Sequence, residues 1–297
     1  MRPPYLTIET LDEIIQDALK EDVGTGDVTT LATIPPETQA TARYLAKADG
    51  ILAGLEVAER VWKLVDHRVR VEWTMQDGDA VTNRTYFGTV RGTARSLLIG
   101  ERLTLNLMQR MSGIATATRK MVEAAKPHHA QILDTRKTVP GLRALDKWAV
   151  QLGGGANHRI GLYDMVLIKD NHITASGGLE PAIRAAQAYL KNKQLSVELE
   201  VETRTLAEVD EVLRIGGIHR IMLDNMTVRQ PDGTLDVTML QEAVARIKGS
   251  YQTEASGNVT LETVPAIAAT GVDFISSGSL THSVTALDIS LKIVLEV

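Results

Sequence analysis

The stretch Asp134–His172 reads DTRKTVPGLRALDKWAVQLGGGANHRIGLYDMVLIKDNH. It carries Arg136, Lys137, Arg143, Lys147, Arg159 and Lys169, with His158 and His172, against four Asp, in a chain of formal net charge −5. Cations are concentrated here against the overall balance. Arg136 and Lys137 follow the short apolar run Gln131–Leu133, and Lys169 closes the run Met165–Ile168. In parallel α/β folds the working groups stand at the C-terminal ends of strands and in the loops after them. A cationic pocket for a small poly-anionic molecule is the first expectation.

Beyond about residue 130 the pattern alternates strand, loop and helix. Apolar runs predict strands at Gln131–Asp134, Met165–Lys169, Val197–Val201, Arg220–Leu223, Thr253–Ala255 and Asp273–Ser276. Helical spacing predicts helices at Leu142–Leu152, Leu179–Leu190, Leu206–Ile215, Val237–Ile247, Leu261–Ala269 and Ala286–Val297. Such alternation implies a parallel sheet or barrel. An eight-unit barrel takes about 250 residues, and six units remain, so an open barrel is expected. The predicted strand ends are chemically consistent: Arg136 and Lys137, Lys169, Glu200 and Glu202, Asp224 and Asn225, Ser256-Gly257-Asn258, and Ser277-Gly278-Ser279. Gly/Ser turns that open helices offer backbone N–H groups to a phosphate. The carboxylates suit ribose hydroxyls and a Mg²⁺ ion held partly through pyrophosphate oxygens.

Towards the N-terminus, Leu11, Ile14, Ile15, Ala18 and Leu19 predict a helix capped by Thr10 and ending near Lys20. The following EDVGTGDVTT (Glu21–Thr30) reads as a polar surface turn. Short β-like runs at Ala42–Ala46, Val69–Trp73 and Tyr86–Val90 surround a helix at Leu55–Val65, the pattern of an α/β sandwich on an antiparallel sheet. A long helix is predicted over Ser96–Thr116, on which Arg102 alone reads as a solvated side chain. The Ser112-Gly113 pair marks the division between an N-terminal domain, 1–115, and a barrel domain, 116–285.

Composition narrows the function. Hydrophobic residues make up 44% and charged residues 23%, enough apolar surface for a sizeable core. A sequence pI near 5.8 argues against non-specific nucleic-acid binding, which wants a basic stripe. The chain has no cysteine, which excludes disulfides, thiolate metal sites and a cysteine nucleophile and fits a reducing cytosol. No apolar run reaches the roughly 20 residues a membrane helix needs, and MRPPYLTIETLDEII has no secretory h-region. A cytoplasmic protein is expected.

Longer motifs carry a resemblance. EDVGTGDVTT, GERLTLNLMQRMSGIAT (Gly100–Thr116), DTRKTVPGLR (Asp134–Arg143), GGGANHRIGLYDMVLIKDNH (Gly153–His172), ELEVET (Glu198–Thr203), LDN (Leu223–Asn225), EASGN (Glu254–Asn258) and SLTHSVTALDISLK (Ser279–Lys292) stand in the order found in quinolinate phosphoribosyltransferases. The resemblance implies an N-terminal α/β sandwich, joined by the C-terminal tail at about 286–297, and an open six-stranded α/β barrel. It implies transfer of phosphoribosyl from phosphoribosyl pyrophosphate (PRPP) to quinolinate with decarboxylation, giving nicotinate mononucleotide, pyrophosphate and CO₂ in NAD biosynthesis. It implies Mg²⁺, and a homodimer, alone or in a larger assembly of dimers, in which Arg102 enters the partner subunit's site. By the same resemblance Arg136, His158, Arg159 and Lys169 hold the two carboxylates of quinolinate, and Lys137 is shared with the donor. Glu202 and Asp224 face the ribose and Mg²⁺, with Lys137, Lys169, Glu202 and Asp224 as the catalytic set. Ser256, Gly257, Asn258, Gly278, Ser279 and His282 surround the 5′-phosphate. Asn258 stands where many members have Gly, and counting back from Leu206 favours Glu202 over Glu200 as the main acid. Lys147, Arg143 and His172 read as structural, and Asp170 and Asn171 as fixing a turn.

Other readings of the same residues are a phosphoribosyltransferase acting on nicotinate, a molybdenum-transport-associated homologue, a Schiff-base aldolase on Lys169, and a non-catalytic sugar-phosphate binder. The first two need fewer carboxylate-binding cations than this chain carries. The last gives no reason for Glu202 and Asp224 opposite the cations.

Overall fold

The alternation after residue 130 produces six strands, Gln131–Leu133, Met165–Ile168, Glu198–Thr203, Arg220–Asp224, Gln252–Ser256 and Phe274–Ser276, in a computed structural model that describes residues 1–295. Their order across the sheet is 131–133, 274–276, 252–256, 220–224, 198–203, 165–168. Every neighbouring pair is parallel. The first two strands in the chain lie at opposite edges of this order, so the barrel is open, as expected. All six strands therefore point their C-terminal ends the same way, which is what gathers side chains from distant parts of the sequence.

Two local devices fix the strand ends. The segment after the triple glycine returns to the first strand, where Ala156 N–H donates to the Ile132 carbonyl at 2.8 Å. Asp134, fully buried, then accepts the His158 N–H at 2.9 Å and the Asn157 side-chain amide at 2.6 Å. After the strand Glu198–Thr203, Thr205 caps the helix Leu206–Ile215. Its hydroxyl accepts the Glu208 N–H at 3.2 Å while Glu208 accepts the Thr205 N–H at 3.0 Å. This reciprocal box satisfies donors that a helix start leaves open.

The other unit is built on a four-stranded antiparallel sheet in the order Ile289–Leu295, Gln39–Ala46, Tyr86–Thr93, Arg70–Trp73. Ala40, Ala42, Tyr44 and Ala46 alternate inward along their strand and meet the helix Leu55–Val65, whose Val57, Ala58, Val61 and Trp62 are buried. The Trp62 indole N–H donates to the Tyr44 hydroxyl at 2.7 Å, so neither polar tip is stranded in the core.

Five expectations are corrected. The first helix, Ile8–Val23, starts from Thr7 rather than Thr10; the Thr7 hydroxyl accepts the Thr10 N–H at 3.2 Å. EDVGTGDVTT is only partly a turn, because Asp27 accepts the Thr30 N–H at 3.0 Å and opens a short helix, Val28–Thr33. The stretch 286–297 holds a strand, Ile289–Leu295, instead of a helix; alternation of Ile289, Leu291 and Ile293 with Ser290 and Lys292 is the period-two signal, and residues 296–297 lie outside the described residues. That strand pairs with Gln39–Ala46 and brings the tail into the first unit. The units are 1–119, 138–154 and 280–297 against 120–137 and 155–279, so the helix Arg143–Leu152 groups with the first.

Finally, Ser112-Gly113 is not a break: one helix runs from Ala94 to Ala125. The Ser112 hydroxyl accepts the Ala53 N–H at 2.9 Å and donates to the Ala53 carbonyl at 3.1 Å. A Cβ on Gly113 would collide with the Thr285 carbonyl oxygen and lie 3.0 Å from Ala286 Cα. Packing, not helix termination, selects this pair.

Gly113→Ala is therefore expected to lower stability by about 1–3 kcal/mol in urea unfolding, although alanine is the better helix former by about 1 kcal/mol; a stabilised variant would show that the helix has room there. Asp134→Ala, which strands two donors, should cost about 3 kcal/mol or more in the same measurement, with Asp134→Asn costing less.

Candidate active site

A cavity of about 650 Å³ opens at the C-terminal ends of the six parallel strands, within the second unit. Arg136, Lys137, Arg159, Lys169 and Arg204 supply its cations, and Asp170, Glu202, Asp224 and Glu254 its carboxylates. His158, Ser256, Gly257 and Asn258 also line it.

Arg136 and Arg159 define one part of the wall. Both are half-buried, and Arg136 Nε is buried without a hydrogen-bond partner. Arg159 donates to the Met165 carbonyl at 3.2 Å, which aligns it beside the second strand. Burial and then the Arg136 charge lower the Arg159 pKa. Two guanidiniums that line one cavity favour an anion there, and a planar carboxylate matches each fork.

Below them His158 sits in a buried ionic cluster. Its Nε2 lies 2.9 Å from Glu200 and 3.4 Å from Glu254, and Arg220 reaches Glu254 at 3.0 Å. Burial opposes charging the His158 ring, but Glu200 and Glu254 outweigh it and raise its pKa. Burial, with the Glu200 charge, pushes Glu254 up to about 7. His158 Nδ1 accepts the Arg159 backbone N–H at 2.7 Å, which requires a lone pair there. Nδ1 thus faces the Arg159 N–H and Nε2 the two carboxylates, while His158 also lines the cavity. A proton on Glu254 leaves the His158 ring neutral, as its Nδ1 lone pair requires, and the cluster is then neutral with Arg220 balancing Glu200. The His158, Glu200 and Glu254 atoms lie within 4.8 Å of one another, a metal-like spacing, yet Arg220 already supplies the cation.

Strand alternation explains the three glutamates. Glu198, Glu200 and Glu202 share one face at successive heights. Glu198 is exposed at the strand start, Glu200 is buried beside His158, and Glu202 stands at the cavity. Burial and then the Asp224 charge raise the Glu202 pKa. Lys169 Nζ lies 4.0 Å from Glu202. Arg204 lies 3.0 Å from Glu202, 3.0 Å from Asp170 and 3.3 Å from Asp224.

The turn after the fifth strand is tightly built. Asn225 N–H donates to the Ser256 carbonyl at 2.8 Å, and a Cβ on Gly257, at φ +91°, would collide with the Asn225 amide. Asn258 has φ +54°, a left-handed conformation for which Gly or Asn is suited. Gly278, Ser279 and His282 are not among the residues lining this cavity. Ser279 shares a 2.7 Å hydrogen bond with Ser277, and His282 one of 2.7 Å with Ser283 in the first unit. Arg102 is exposed on the helix Ala94–Ala125 of that unit.

Residues read as structural behave so in part. His172 Nδ1 accepts the Lys169 N–H at 2.9 Å and fixes that turn, Arg143 donates to Thr138 at 3.1 Å, and Lys147 is buried in its helix. Asp170 holds the Asn171 N–H at 2.7 Å but also lines the cavity. Arg204, Glu254 and Arg220 were not singled out. Arg204 directly follows the strand Glu198–Thr203, so the strand-end rule that marked Lys169 would have found it; no sequence signal separates Glu254 and Arg220 from ordinary strand residues.

Comparison with known proteins fits this architecture. Residues 27–112 match the family description "Quinolinate phosphoribosyl transferase, N-terminal domain" and residues 114–292 its C-terminal counterpart. The chain is 55% identical to the chloroplastic nicotinate-nucleotide pyrophosphorylase [carboxylating] of Arabidopsis thaliana, covering 99% of this chain and 85% of that one. It is 41% identical to a probable nicotinate-nucleotide pyrophosphorylase [carboxylating] of Synechocystis, covering 98% and 94%. The crystal structure of NadC from Streptococcus pyogenes superposes with a TM-score of 0.90 at 38% identity, covering 98% and 99%. Both halves of the chain, the open six-stranded barrel included, place it in one lineage: the chain belongs to the quinolinate phosphoribosyltransferase family.

Proposed function

We propose that this chain transfers phosphoribosyl from PRPP to quinolinate with decarboxylation, releasing nicotinate mononucleotide, pyrophosphate and CO₂ in NAD biosynthesis. The observation that carries this reading is the Arg136–Arg159 pair, both half-buried and both lining a cavity that acids also line. An aromatic ring with adjacent carboxylates offers a partner to each guanidinium, and a monocarboxylate to one. The names of the relatives support the same chemistry.

In this reading Arg136 and Arg159 bind the carboxylates, with His158 placing Arg159. The pyridine nitrogen attacks the anomeric carbon as its bond to pyrophosphate breaks. Glu202 and Asp224 stabilise the positive charge that develops on the sugar, and Lys137 and Lys169 the negative charge on the departing pyrophosphate. The ring nitrogen, once quaternary, accepts the electrons left by CO₂, and a proton replaces the carboxylate. The turn Ser256-Gly257-Asn258 offers backbone donors to the 5′-phosphate. Gly278, Ser279 and His282 remain assigned to that phosphate through the resemblance alone.

Mg²⁺ supplies charge neutralisation on pyrophosphate when bound. Glu202 and Asp224 are hard oxygen donors of the right kind, but Arg204 already lies against both, so in this arrangement they face the ion through the donor instead of ligating it directly. Exposed Arg102 supports the homodimer in which this residue enters the partner subunit's site, alone or in an assembly of dimers. Among the described residues no helix is long and apolar enough to cross a membrane. A cytoplasmic location remains the reading of composition, beside plant relatives whose names place them in chloroplasts or mitochondria.

Incubation with quinolinate, PRPP and Mg²⁺ is expected to yield nicotinate mononucleotide and CO₂; unchanged quinolinate would refute the assignment. Arg136→Ala should raise the KM for quinolinate at least about tenfold, the equivalent of losing one carboxylate contact, while its circular dichroism stays that of the parent. Because the Glu202 pKa is raised, kcat should fall on the acid side at a higher pH than an ordinary carboxylate would dictate. Glu202→Gln should erase that limb at a cost of about 100-fold in kcat.

A further inference from the structure

Arg204 is the cavity cation that the proposed chemistry leaves without a task. Its guanidinium contacts three carboxylates from three strand ends: Asp170 at 3.0 Å, Glu202 at 3.0 Å and Asp224 at 3.3 Å. The backbone beneath it is held, since Arg204 N–H donates to Glu208 at 2.6 Å within the capping box of the next helix. The side chain is about half exposed, with 49% of its surface accessible, whereas Glu202 is almost fully enclosed. A fixed backbone and an accessible side chain let the guanidinium withdraw without unfolding anything.

The acids have an unmet need as well. Glu202 Oε1 is buried and accepts no aligned hydrogen bond, although Arg204 is the nearest cation. Asp224 accepts only the Asn225 amide at 2.7 Å and Arg204 among the hydrogen bonds described. Lys169, at 4.0 Å from Glu202, is the other positive charge beside the trio. Without Arg204, the contact of Lys169 with Glu202 would be the remaining ion pair of these three carboxylates among those described, which makes an attractive site for a divalent ion.

We propose that Arg204 is the resident counter-cation of Asp170, Glu202 and Asp224: it keeps the free enzyme from capturing a divalent metal at these acids, so that metal enters with the phosphorylated donor. The inference rests on the phosphoribosyl-transfer reading for its biological sense, but its central consequence is a property of the protein alone. A metal bound prematurely would occupy the place where the donor's ribose hydroxyls meet Glu202 and Asp224. An arginine offsets the charge of these acids yet can move aside, because its side chain is half exposed, and its planar fork bridges more than one carboxylate.

The test is Mn²⁺ binding followed by electron paramagnetic resonance on the full chain with no substrate present. Wild-type protein should bind Mn²⁺ weakly, whereas Arg204→Ala should bind it at least about tenfold more tightly. Arg204→Lys, which retains the charge, should not gain this site, and Asp170→Asn added to Arg204→Ala should lose most of the gain. If the alanine variant fails to fold, Arg204→Gln carries the same expectation. Equal Mn²⁺ affinity in wild type and the neutral variants, or an equal gain in Arg204→Lys, overturns the proposal. Because no turnover is read, a protein that gains the metal site yet makes no nicotinate mononucleotide would sink the functional reading and leave this one standing.

Discussion

Arg136 and Arg159 stand half-buried in the wall of one cavity, and the backbone on either side of them is anchored. Arg136 follows a strand whose neighbour Asp134 pins the loop that carries Arg159, which fixes the two backbones relative to one another. Nor is Arg159 free to turn, since its backbone N–H is held by His158 and its side chain by the Met165 carbonyl. Two cations so placed favour an anion at the cavity wall. Binding energy of this kind is spent on position, which is what a reaction between two charged substrates needs.

The parallel barrel distributes its charges in layers. Along Glu198–Thr203 the same face passes from an exposed carboxylate, through one locked to His158, to one at the cavity. Adjacent strands repeat the layering: Arg220 and Glu254 lie in the buried level, while Asp224 and Ser256 stand two to four residues further along at the mouth. The buried level is close to neutral when it holds a single proton, and so it supports the mouth without adding much charge to it. Ions of opposite sign are in both layers kept near one another by strand register, which is insensitive to the loops.

Much of this was legible in the sequence, and what was not has identifiable causes. The six parallel strands followed from hydrophobic period, although the helix expected to close the sixth unit did not, and the cations and acids at strand ends followed from the rule that such ends converge. The helix Leu206–Ile215 was bounded correctly because Thr205 and Glu208 form a local box. The tail failed where local and distant signals compete: alternation over Ile289–Leu295 is short, and only pairing with Gln39–Ala46 gives it a reason to extend. Gly113 failed similarly, since a glycine inside a helix reads as a break until the opposing Thr285 carbonyl is in view. Arg204 owes its place to three carboxylates on separate strand ends, a convergence that its immediate sequence neighbours do not encode. The ionic layer around Arg220 is a contact between strands far apart in the chain, and single-strand periodicity carries no trace of it.

The central claim, that paired guanidiniums read two adjacent carboxylates on one ring, is tested most directly by equilibrium calorimetry of the free protein with quinolinate and with nicotinate. The second ligand keeps the pyridine and removes one carboxylate. The account predicts that quinolinate binds at least about tenfold more tightly, a difference of about 1.4 kcal/mol, and that added salt narrows the gap. Equal affinity for the two acids, or a preference for nicotinate, would contradict it.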